Sequence, residues 1–103
     1  MIWTDTEKQS IKRIVIAQLK DEPEVQRIVL FGSFLDSAEP NDLDIAIFQT
    51  TKERYLPLAM KYRRKLDVLA RRIALDVIPL KANSPRGVFT DEIAKGEVIY
   101  ERT

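Results

Sequence analysis

Ile11, Ile14, Val15 and Leu19 recur at the three-and-four spacing of one helical face, and Thr4 with Glu7 three residues on carries a capping-box signature. The pattern predicts an amphipathic helix over residues 5 to 21, closed by Pro23. The period then changes. Val25–Phe31 is nearly continuous apolar sequence, polar only at Gln26 and Arg27, and predicts a buried strand that stops at Gly32-Ser33. Residues 32 to 41 read as a loop with room for one helical turn. Asp42–Gln49 alternates in polarity and predicts a second strand. Thr50-Thr51-Lys52 reads as the cap and entry of a second helix, with Pro57 tolerable in its first turn. Residues 58 to 72 follow as helix, with Tyr62, Leu66, Leu69 and Ile73 as its apolar stripe. "ALDVIPL" predicts a third strand, starting at residue 73 or 74 and running to 80. After a loop over residues 81 to 86 come a short helix over 88 to 95, stopped by Gly96 at a C′ position, and a last strand over 98 to 101. Helices and about four strands without strict alternation predict an α+β fold, a small mixed sheet with helices packed mainly on one face.

Within that frame the charged positions stand out. Side chains alternate along a strand, so Asp42 and Asp44 project together, about 7 Å apart along the chain. Leu43, Ile45 and Ile47 take the other face. Asp76 lies between Leu75 and Val77 and projects opposite to them; if the second and third strands are neighbours, it joins the other two carboxylates. Two like charges about 4 Å apart repel by about 4 kcal/mol at an effective dielectric of 20. Such a trio either protonates or holds a cation. A glycine ending a buried strand lets a phosphate approach the backbone, and Ser33 adds a hydroxyl and an N–H.

Composition narrows the chemistry. The 103 residues have the size of one domain and are read as a single one spanning 1 to 103. Cysteine and histidine are both absent, which excludes disulfides, zinc–thiolate sites and histidine-based triads. Any metal must therefore be held by oxygen, which points to magnesium, manganese or calcium. Seventeen basic and sixteen acidic residues give a net charge of +1, unlike a strongly basic nucleic-acid binder. No apolar run has membrane-spanning length and the start has no signal-peptide character, so a cytoplasmic setting is expected.

The order "LFGSF", "NDLDIAIF", "LDVIPL" resembles the minimal nucleotidyltransferases of the DNA polymerase β superfamily, of the kind that act as MntA-type antitoxins. Weaker similarity extends through "DEIAKGEVIYER". The resemblance implies a polymerase β-like nucleotidyltransferase fold and metal-dependent transfer of a nucleoside monophosphate, most plausibly AMP from ATP, to a hydroxyl. It implies that Gly32 and Ser33 hold the triphosphate. Asp42 and Asp44 would bind two Mg2+ ions, with Mn2+ an alternative, and Asp76 would complete the site of the ion that activates the acceptor. It also implies a helical HEPN-type toxin as partner and acceptor. The chain departs from the family in its loop: eight residues separate Ser33 from Asp42, shorter than usual, and none is basic or glycine. Ser33 and Asp36 have capping-box spacing, which would place a carboxylate where a phosphate should sit.

The expected function is thus Mg-dependent nucleotidyl transfer; the alternative is a non-catalytic antitoxin that masks its partner and keeps a vestigial or nucleotide-sensing site. Lys61, Arg63, Arg64, Lys65, Arg71 and Arg72 form a basic stretch that could seat nucleotide or RNA, although a solvated helix face is the favoured reading. Nucleic acid is not a favoured partner, and a homo-oligomer stays open. Trp3 and Tyr55 are read as exposed aromatics that could mark a docking face.

Overall fold

The computed structural model describes residues 2 to 84 and 91 to 102. In chain order the elements are α1 (Asp5–Leu19), β1 (Val25–Phe31), α2 (Ser33–Asp36), β2 (Asp42–Gln49), α3 (Tyr55–Lys65), α4 (Asp67–Ala70), β3 (Ala74–Lys81), α5 (Asp91–Ala94) and β4 (Glu97–Glu101). The four strands form one sheet in the order β3-β2-β1-β4. β1 runs antiparallel to β2 and β4, whereas β2 and β3 are parallel, so the sheet is mixed. β3 lies at an edge, where Pro79 can stand without breaking a central ladder.

The two faces of the sheet differ. Ile28, Leu30, Leu43, Ile45, Ile47, Leu75 and Val77 turn to one side and meet the apolar stripes of the long helices in the main core. Ile11, Val15 and Leu19 of α1 are fully buried there, as are Tyr62, Leu66 and Leu69. Burying a side chain of this size contributes roughly 1.5–3 kcal/mol, so this layer dominates the fold's stability. Val29, Phe31, Ala46 and Phe48 face the other way, under Ile93 of α5.

Local signals explain most element ends. Thr4 Oγ1 accepts from the Glu7 amide and Glu7 Oε1 from the Thr4 amide, the reciprocal box expected at the start of α1. The second long helix differs from expectation. It starts at Tyr55 with Arg54 at the N-cap and no capping side chain. Thr51 is used elsewhere: its amide and hydroxyl both donate to Oε1 of the buried Gln49. Residues 58 to 72 are two helices, joined at Leu66, where φ −100° and ψ 15° break the α geometry. Arg63, Arg64 and Lys65 suit the C-terminal end of α3 and Asp67 the start of α4. The apolar stripe passes through the joint unbroken, which is why periodicity shows only one helix. Gly96 does follow α5, but its φ is not positive. A Cβ there would lie 2.5 Å from the Leu30 carbonyl oxygen, so close packing on β1 requires the glycine. Of the helix expected over 88 to 95, residues 88 to 90 lie outside the described residues, as do 85 and 86 of the preceding loop.

At the foot of β1 lies a compact ion network. Glu24 is only 8% exposed and accepts from the Tyr62 hydroxyl (2.9 Å) and from Lys61 Nζ (3.0 Å). Lys61 and Lys65 also pair with Glu22, at 3.1 and 2.7 Å. Burial alone would raise the Glu24 pKa, but its own backbone amide, Lys61 and Tyr62 outweigh it and hold the carboxyl below the usual range. Arg102 closes the same end, donating to the carbonyls of Lys20, Glu22 and Val25.

Candidate active site

β1 ends where β2 and β3 begin, so the Gly-Ser turn and the starts of both acid-bearing strands share one end of the sheet. Parallel pairing puts Asp44 directly in register with Asp76, and Asp42 with Ala74. Neighbouring strands lie about 4.8 Å apart, so Asp44 and Asp76 are adjacent on the face opposite α1 and α3. Asp42 and Asp76 are exposed; Asp44 is half-buried between them. All three predicted carboxylates therefore share one surface. Among the described residues no three acids already converge on a point at metal-ligand distance.

Asp44 carries the electrostatic strain. Burial first, then the charges of Asp76, Asp42 and Glu92, push its pKa above the usual aspartate value. Glu92, on α5, is a fourth carboxylate that the residue pattern did not reveal. The similarity of "DEIAKGEVIYER" located its segment but gave it no role, because the contact is made across the sheet.

Gly32 shapes the other wall. Its backbone lies at φ 77° and ψ −159°, a region open essentially to glycine alone. A Cβ would fall 2.2 Å from Asp44 Oδ2, so the glycine lets the strand end approach the carboxylate. Gly32, not Ser33, is the N-cap of α2, and no side chain caps that turn. The capping box expected of Ser33 and Asp36 is therefore not formed, and the exposed Ser33 side chain stays uncommitted to it. Gly32, Ser33, Leu35, Asp36, Glu92 and Lys95 line a cleft of about 430 Å³.

The turn is held from behind. Lys8 Nζ donates to the carbonyls of Phe34 (2.7 Å) and Ser37 (2.6 Å), and the Trp3 amide donates to the Ala38 carbonyl. Trp3 is 6% exposed, packed edge-on against Phe34 with centroids 6.3 Å apart. It is a core residue and not the exposed aromatic expected; Tyr55 is exposed. The basic stretch also has structural work. Lys61 and Lys65 belong to the Glu22–Glu24 network, Arg63 donates to the Leu75 carbonyl, and Arg72 lies over the Trp3 ring. Tyr62, Leu66 and Leu69 pack into the core on the sheet face away from Asp44, so this stretch is not the nucleotide seat of that site.

A family model described as polymerase beta, nucleotidyltransferase, matches residues 13–103. The chain belongs to this nucleotidyltransferase family. Solved structures agree on the fold. A complex of tri-AMPylated Shewanella oneidensis HEPN toxin with MNT antitoxin contains a chain 22% identical, with a TM-score of 0.67 over 92% of this chain and 73% of that one. The MntA-HepT toxin-antitoxin structure gives 21% identity and a TM-score of 0.64, covering 91% of this chain and 73% of that chain. A toxin-antitoxin structure with AMP-PNP gives 22% and 0.67, over 88% and 73%. Comparison with curated proteins finds no match. Among the described residues no helix is long and apolar enough to cross a membrane.

Proposed function

We propose that this nucleotidyltransferase domain transfers AMP from ATP to a hydroxyl in a Mg-dependent reaction, the acceptor being a partner protein of the HEPN type. The observation that carries the reading is the register of Asp44 on Asp76, with Gly32 pressed against the Asp44 carboxylate. Hard oxygen donors that repel one another fit Mg2+ or Mn2+, and Asp42, Asp44 and Asp76 would hold such ions. When bound, two such ions supply charge neutralisation at the phosphates and activation of the attacking oxygen.

Asp42 and Asp44 would hold both ions in this scheme, and Asp76 the one beside the acceptor. Gly32 gives the triphosphate access to the backbone, and Ser33 donates to it. The acceptor oxygen bonds to the α-phosphorus, the bond from that phosphorus to the bridging oxygen breaks, and pyrophosphate leaves. The acceptor proton passes to water. The neighbouring complexes support the choice of partner: one contains an AMPylated HEPN toxin and another AMP-PNP.

Calorimetry with ATP, with and without magnesium, on the wild type and Asp44→Asn tests the site. The expected result is magnesium-dependent binding weakened more than about 100-fold by the substitution, since even outer partners of a bound metal are worth 10- to 100-fold. Mass spectrometry of a HEPN-type partner after incubation should then show added AMP. Absence of nucleotide binding in the wild type would overturn the reading and leave masking of the partner as the function.

A further inference from the structure

Among the described residues, the cleft beside Gly32 and Ser33 is short of positive charge. The loop from Phe34 to Asn41 contributes Asp36 and no base, and α5 contributes Glu92. Among the described residues, Lys95 is the one cation that lines it. Its backbone is well placed: the Lys95 amide donates to the Asp91 carbonyl, and Gly96 next to it is pressed on the Leu30 carbonyl, two residues before Gly32. Buried Ile93 anchors the same turn under the sheet. Its ammonium is also uncommitted. Lys8, Lys12, Lys61 and Lys65 each engage a carbonyl or a carboxylate, whereas Lys95 has no such partner among the described residues.

We propose that Lys95 is the cationic contact for the β- and γ-phosphates of the nucleoside triphosphate, supplied by the turn after α5 in place of a basic residue in the shortened loop. The inference rests on the functional reading above. A compact ammonium on a flexible stem suits this task, because it meets phosphate as a point charge and needs no fixed fork geometry. Lys95 is a binding residue and not one of the carboxylates that would hold the metals.

The test is titration of MgATP and of magnesium pyrophosphate into wild type, Lys95→Ala, Lys95→Arg and Asp44→Asn. One charge-assisted hydrogen bond corresponds to roughly tenfold to hundredfold in Kd, so Lys95→Ala should weaken both ligands by that factor. Lys95→Arg keeps the charge and should stay within about threefold of wild type. Thermal unfolding should be unchanged, since Lys95 is exposed. If Lys95→Ala binds MgATP like wild type while Asp44→Asn does not, the role of Lys95 is overturned and the site reading stands. If the wild type itself binds no MgATP, both fall together.

Discussion

Two carboxylate clusters sit at opposite ends of the same sheet and obey opposite rules. At the foot, Glu24 is the more deeply buried, yet Lys61 and Tyr62 satisfy it and its pKa falls below the usual value. At the top, Asp44 is only half-buried, but its neighbours are Asp76, Asp42 and Glu92, and its pKa rises. The fold can thus satisfy an acid when the acid's task is structural. Leaving Asp44 among like charges costs stability, and strain of this kind concentrates where a ligand is to be held.

The sharpest way to break the contrast is to remove each acid. Glu24→Ala leaves the Tyr62 hydroxyl and Lys61 without their partner and should cost about 2–3 kcal/mol, the penalty for stranding buried polar groups. Asp44→Asn should do the reverse, stabilising the metal-free protein by about 1 kcal/mol through lost repulsion. Urea unfolding of both variants checks the signs; two destabilisations of equal size would erase the distinction.

Gly32→Ala probes the join between fold and site. The backbone region and the clash with Asp44 should cost about 1–3 kcal/mol, with nucleotide affinity falling as the carboxylate is displaced. Gly96→Ala also meets backbone, at Leu30, rather than a carboxylate, so it should lower stability with less effect on magnesium-dependent binding.

The smallest effects are in pH. Asp44 has a raised folded pKa, so the folded state binds its proton more tightly than the unfolded chain does. Its charge lowers stability as pH climbs from about the ordinary value of 3.8 through the raised one. Glu24 has a lowered pKa, so its contribution is full above the ordinary value of 4.5 and is lost as pH falls through the lowered one. The advantage of Asp44→Asn over wild type should therefore shrink as pH falls from the raised value toward 3.8, and the disadvantage of Glu24→Gln as pH falls below 4.5, the two differences approaching zero from opposite sides. Unfolding curves across the acid range measure both.

The alternation of Asp42 and Asp44 against Leu43, Ile45 and Ile47 is a period-two signal, legible in the sequence because one strand makes it alone. Asp76 is legible for the same reason, as the single charge in the apolar run from Ile73 to Leu80. The Thr4–Glu7 box is local and equally plain. What resists reading is decided by distant neighbours. Glu92 and Lys95 reach the cleft only because α5 folds over β1, and nothing in their own spacing says so. The joint at Leu66 hides beneath a continuous apolar stripe. Gly96 looks like a helix stop, although its reason is the Leu30 carbonyl behind it. Ser33 has the spacing of a cap, but the cap position falls to Gly32 one residue earlier.

Trp3, the chain's single tryptophan, rests on Phe34, the residue after Ser33, with the Arg72 guanidinium 5.1 Å from its ring. An indole so placed is a native fluorophore wired to the Gly-Ser turn. Its emission can follow that turn optically, without a label, in the same cuvette as the nucleotide.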